Sequence, residues 1–124
     1  MAKPDKPSAT RFEIRNPDPA CNPYLAFSVL LAAGLEGVEK KYKLQEPSNE
    51  NVYELTPEMR AKKGIDSLPG SLIEAIHMTE RSELVKRSLG EHIFSHFIEN
   101  KKIEWDKHRI QISSYELSQY LPLL

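Results

Sequence analysis

The sequence predicts an α-rich fold with one N-terminal strand followed by four to six helices. Three observations predict it. Arg11–Arg15 alternates charged and apolar side chains with period two, the pattern of an extended strand. Capping residues followed by proline or an acidic residue recur at Asn22-Pro23, Thr56-Pro57, Ser71, Ser82 and Ser113. Between these starts, apolar residues return every three or four positions.

In the strand, Arg11, Glu13 and Arg15 share one face, and Phe12 and Ile14 share the other. No second stretch reads as a strand, so sheet partners are expected from outside this chain. A strand without partners leaves its backbone unpaired, and must fray, pair with another copy or dock on a helix. The turn that follows, Asn16-Pro17-Asp18-Pro19, is stiff because each proline fixes φ and keeps the preceding residue out of helix.

Asn22 caps a helix running from Pro23 to about Lys43. Its body, YLAFSVLLAAGL, is apolar nearly all round and reads as a buried core helix. Gly34 and Gly37 lie inside it, where glycine costs about 1 kcal/mol against alanine and signals close approach by a neighbour. Gln45–Asn51 is a polar loop. Thr56 caps a short helix, Pro57–Lys63, that stops at Gly64. Ser71 and Glu74 form a capping box for a helix to about Thr79. Ser82 opens a short helix that stops at Leu89-Gly90. The last long helix spans Glu91 to Arg109, with Ile93, Phe94, Phe97, Ile98 and Trp105 on its apolar stripe and Lys101 breaking it. Ser113 or Ser114 caps a terminal helix, Tyr115–Tyr120, halted by Pro122.

The chain has 124 residues, 17 basic and 18 acidic, giving a net charge of −1. One domain's worth of length with balanced charge offers no field for nucleic acid or an anionic membrane surface. The apolar run Leu25–Leu35 is broken by Ser28 and Gly34 and is too short to span a bilayer. One cysteine, Cys21, excludes an internal disulfide, suits a reducing compartment and reads as a packing residue. Residues 1–8 hold two prolines and no apolar pattern, and read as a flexible leader or an engineering scar. Residues 9–124 read as one unit, of which 112–124 form an apolar tail.

Arg11-x-Glu13-x-Arg15 is suited to a metal-bound polyphosphate. A carboxylate is a hard ligand for Mg²⁺ or Mn²⁺, and arginine offers forked, permanently charged donors to phosphate or carboxylate. The same triplet can equally be an exposed ladder of ion pairs. His92 and His96, four apart with Glu99 nearby, could share a helical face and hold zinc, or simply sit on the surface. Tyr53 lies in the polar loop, either available for modification or anchoring the loop.

RFEIRNPDPACNPYLAFSVLLAAGLEGV resembles the start of the last segment of type I glutamine synthetase. The likeness continues through ENVYEL, GIDSLPGSLIEAI, LGEHIF, EWD and SSYELSQYL, and covers roughly Ser8 to Leu124. It implies an α-rich C-terminal piece of an α+β catalytic domain belonging to a longer, cytoplasmic subunit. It implies ATP-dependent ligation of ammonia to glutamate through γ-glutamyl phosphate. Glu13 would then coordinate one of two Mg²⁺ or Mn²⁺ ions beside the ATP γ-phosphate. Arg11 would contact nucleotide phosphates, and Arg15 would hold the transferred phosphoryl group and the substrate glutamate. Tyr53 matches a position that some type I synthetases adenylylate, although TPEMRAKKGIDSLPGSL resembles the branch controlled by feedback and protein partners. The tail would tie together the two rings of a double hexamer, or pack on this chain's own core. The remaining metal, ammonia and nucleotide residues of the family lie upstream of this stretch. The chain alone is therefore expected to bind no cofactor and to be inactive. The rival reading is a non-catalytic helical module for oligomerisation or partner binding.

Overall fold

The computed structural model describes residues 11–123. Five α-helices follow an extended leader: α1 Pro23–Glu39, α2 Pro57–Lys62, α3 Leu72–Glu80, α4 Glu83–Arg109 and α5 Ser114–Tyr120. One-turn 3-10 segments lie at Val52–Glu54 and Leu121–Leu123. The expected leader at residues 1–8 lies outside the described residues.

The expected strand does not form. Arg11–Arg15 is exposed and without regular secondary structure, and no described residue is in a strand. The physical reason is the one its sequence anticipates: a strand is held by backbone partners, and none of the described segments supplies them.

The five capped helix starts, at Asn22, Thr56, Ser71, Ser82 and Ser113, are where their side chains place them, whereas the start expected at Glu91 is a continuation of α4 past Gly90. Asn22 Oδ1 accepts the Tyr24 and Leu25 N–H groups at 3.0 and 3.4 Å, with Pro23 at the first helical position. Thr56, Ser71, Ser82 and Ser113 accept N–H groups three residues on. The box at Ser113 is complete, because Glu116 accepts the Ser113 N–H at 2.7 Å in return. At Ser71 the return bond slips by one residue, and Glu74 takes the Gly70 N–H instead.

The end of α1 comes earlier than expected, at Glu39 rather than Lys43. Lys41 adopts a left-handed φ of 53°. The Lys41 N–H then reaches the Val38 carbonyl and the Tyr42 N–H reaches that of Gly37, closing a Schellman motif. Glycine or asparagine normally occupies that position, so a lysine there left no signal.

The long helix α4 is the spine, and α3 and α1 each pack against it. At Gly90, φ 75° and ψ 157° interrupt it, so two helical halves meet at the break expected after Leu89. The core centres on Ile76 of α3 and Phe94 and Ile98 of α4. Around them pack Leu72, Ile73, Val85, Leu89, Phe97 and Trp105. Ile93, expected on that stripe, is exposed.

A second tie holds α1 to the first half of α4. Glu36 accepts from Lys40, Tyr42 and Arg87, the last 51 positions away in sequence. The Lys40 ammonium first, then Arg87 and Tyr42, lower its carboxyl from the ordinary 4.5 to about 2. On α3, Lys102 reaches across from α4 to Glu80 at 2.6 Å.

The expected burial of α1 is only half met. Its inner residues, Leu25, Ala26, Val29 and Leu30, are half-buried, but no residue of the helix is fully buried. Tyr24, Phe27, Leu31, Leu35 and Val38 form an open stripe at 3–4–4–3 spacing, between 53% and 82% exposed. A methyl group placed on Gly34 would meet nothing within 4 Å. The close neighbour expected there is not among the described residues. Cys21, read as a packing residue, is exposed.

Candidate functional site

The extended ribbon leaves the helical body at a corner built from Pro17 to Pro23. Asp18 Oδ1 accepts the Ala20 N–H at 2.7 Å, and the Asp18 carbonyl accepts the Cys21 N–H at 3.0 Å. These bonds close an Asx turn between two prolines. Asn22 then starts α1. The strand expected before this turn has no sheet partner among the described residues.

On the ribbon, Glu13 and Arg15 sit on the same side. Arg15 Nε donates to Glu13 Oε1 at 2.6 Å, and a second guanidinium nitrogen lies at 2.6 Å from the same oxygen. Both side chains are open to solvent, 85% exposed for Arg15 and 56% for Glu13. An exposed pair of this kind adds little stability, at most about 1 kcal/mol. It does orient the groups: Arg15 holds one carboxylate oxygen, and Glu13 Oε2 has no partner among the described residues. Arg11, two positions before Glu13, is exposed and forms no ion pair among the described residues.

The donor chemistry fits a hard divalent cation, with one carboxylate oxygen available and two guanidiniums for anionic groups around it. It supplies a single ligand. Among the described residues there is no group of three or more histidine, cysteine, aspartate or glutamate side chains able to hold a metal. Two or more further ligands would have to approach the ribbon from elsewhere.

The other candidates lie apart from the ribbon. His92 and His96 do share a face of α4, with ring centroids 4.4 Å apart, and His96 Nδ1 is bonded to the His92 carbonyl at 2.8 Å. Glu99 does not complete a triad with them. Tyr53 is fully exposed at the 3-10 turn, so its ring anchors nothing in the loop. The loop is held instead by Lys63 on Glu50 at 2.5 Å and Arg60 on Ser67 at 3.2 Å. Two features escaped sequence reasoning: the Glu36–Arg87 tie, which has no local signature, and the open stripe on α1, which periodicity alone could not tell from a buried one.

The tail does not fold back as a layer of the body. The 3-10 turn Leu121–Leu123 packs on α5, and Ile110, Ile112, Tyr115, Tyr120 and Leu121 are exposed. No described helix is long and apolar enough to cross a membrane.

Known proteins are similar to this sequence. The family described as the glutamine synthetase catalytic domain matches residues 1–120. A glutamine synthetase of Mycobacterium bovis is 52% identical over 123 residues, which is 99% of this chain and 28% of the relative. One from Mycolicibacterium smegmatis is 51% identical over 123 residues, with the same coverage of both chains. One from Methanosarcina mazei is 49% identical over 117 residues, 94% of this chain and 26% of the relative. The chain thus spans little more than a quarter of the length of these relatives.

Proposed function

This chain belongs to the glutamine synthetase catalytic-domain family, and we propose that it serves ATP-dependent ligation of ammonia to glutamate as the C-terminal segment of a longer subunit. The observation that carries the reading is the ribbon: Arg11, Glu13 and Arg15 on one extended stretch, with Glu13 and Arg15 locked at 2.6 Å. The overall reaction moves the ATP γ-phosphoryl group to the glutamate γ-carboxylate, and ammonia then displaces phosphate from γ-glutamyl phosphate. Such transfers depend mainly on positioning and on charge placed before the reaction starts.

Each ribbon residue has a role in this scheme. Glu13 would hold one divalent cation, since Arg15 occupies only its Oε1. The cation, Mg²⁺ or Mn²⁺, supplies charge neutralisation beside the ATP γ-phosphate. Arg11 binds nucleotide phosphate oxygens with its fork of donors. Arg15, two residues before the corner, binds the transferred phosphoryl group and the glutamate substrate. One carboxylate does not hold a metal tightly, so the chain on its own binds no cofactor and makes no glutamine.

The open stripe of α1 and the apolar tail support the view that the helical body is completed by other parts of an oligomeric synthetase. Other subunits are the partners we assign to the tail, in a double hexameric ring. The same exposed surfaces favour one rival, a non-catalytic helical module that binds a partner through them. Tyr53, fully exposed, is accessible to a modifying enzyme. A cytoplasmic setting fits the single free cysteine.

The test is Glu13→Gln in the full subunit. Mn²⁺ affinity should drop at least about tenfold and kcat at least about a hundredfold. A variant with unchanged Mn²⁺ binding and activity would leave only the module reading.

A further inference from the structure

We propose that Asp18 is a positioning residue that sets the placement of Arg15. The proposal rests on the role given to Arg15 above. Among the described residues, the ribbon makes no hydrogen bond to the helical body, since its Glu13–Arg15 bond is internal. Its direction relative to α1 is therefore set at the corner between Pro17 and Pro23. Three of the corner's seven residues are prolines with fixed φ. What remains adjustable is closed by Asn22 on the first turn of α1, by Asp18 Oδ1 on the Ala20 N–H at 2.7 Å, and by the Asp18 carbonyl on the Cys21 N–H at 3.0 Å.

Packing does not substitute for that bond. Asp18, Ala20, Cys21 and Asn22 line an open groove of about 860 Å³ whose other wall includes Phe97 and Lys101 of α4. The corner stands off α4 across this space, and Asp18 is itself exposed. Removing its carboxylate leaves the core untouched and loosens the corner, which then keeps only the backbone bond from the Cys21 N–H to the Asp18 carbonyl. Arg15 is three residues from Asp18, Glu13 five and Arg11 seven. With the far end of the ribbon held by preceding chain, as the longer subunit proposed above requires, the disturbance fades from Arg15 toward Arg11. A general loss of structure would not produce that gradient.

The experiment compares Asp18→Ala, Asp18→Asn and Arg15→Lys in the full subunit, reading KM for glutamate, KM for ATP, kcat and melting temperature. Asp18→Ala should raise the glutamate KM about tenfold and the ATP KM less than about twofold, with melting unchanged. Asp18→Asn keeps an acceptor for the Ala20 N–H and should restore the glutamate KM to within about twofold of the parent. An unchanged glutamate KM in Asp18→Ala would overturn the proposal. So would an Asn variant as impaired as the Ala variant, or a fall in melting temperature that accounts for the lost activity. If Arg15→Lys itself leaves the glutamate KM unchanged, the role of Arg15 fails first, and the failure lies there rather than in the corner.

Discussion

Replacing Gly90 by alanine should destabilise the chain, while the same change at Gly34 should stabilise it. Both glycines lie within helical segments, and a Cβ at either would meet nothing within 4 Å. Sterics with neighbours therefore cancel from the comparison, and only the backbone differs. Gly34 has helical geometry inside α1, where alanine gains up to about 1 kcal/mol of propensity. Gly90 has φ 75° and ψ 157°, a region almost closed to residues with a side chain. Holding alanine there costs about 1–3 kcal/mol. Relaxing into a straight helix offers no escape, because the halves of α4 have separate anchors. The first carries Arg87 to Glu36 of α1, and the second carries Phe94 and Ile98 into the core with Ile76. Urea denaturation of this chain followed by circular dichroism at 222 nm reads the difference directly. A gap of about 2–4 kcal/mol between the two variants is expected, Gly34→Ala above the parent and Gly90→Ala below it. If Gly90→Ala matched or exceeded the parent, the kink would not be a held feature and α4 would be a continuous rod.

Glu36→Gln should weaken the attachment of α1, with an effect that depends on pH. The folded-state carboxyl titrates near 2 against an ordinary 4.5. A lowered folded pKa means the tie is fully present above about pH 4.5 and is lost as pH falls toward 2. Parent and variant should thus differ in melting temperature at pH 6 and converge near pH 2; a constant difference across that range would refute the assignment. Ile98→Ala should cost about 2–4 kcal/mol by opening a cavity in the core, whereas Leu31→Ala on the open stripe should stay within about 0.5 kcal/mol. Equal losses at both positions, read by urea denaturation, would mean that the stripe is covered in solution.

The sequence made the local structure legible and left the long-range structure hidden. Caps at Asn22, Thr56, Ser82 and Ser113 act over two or three residues, so their signatures are complete in the sequence. The break at Gly90 was visible for the same reason. The Arg11–Arg15 alternation put Glu13 beside Arg15. It could not supply the second strand that makes a sheet, because pairing is decided by residues elsewhere. The stop of α1 was missed because Lys41 takes a left-handed conformation that lysine rarely signals. The Glu36–Arg87 contact spans 51 positions and follows from how α1 lies on α4. Site chemistry was legible as a triplet of residue types, whereas no group of metal-ligating side chains forms among the described residues to join Glu13.

A structure of the full subunit with Mn²⁺ and a non-hydrolysable ATP analogue tests the central claim most directly. A Glu13 carboxylate oxygen is expected about 2.0–2.2 Å from a metal ion, with an Arg11 nitrogen about 2.7–2.9 Å from a phosphate oxygen. A ribbon turned away from the nucleotide, with the Glu13 carboxylate beyond about 4 Å from any metal, would contradict it.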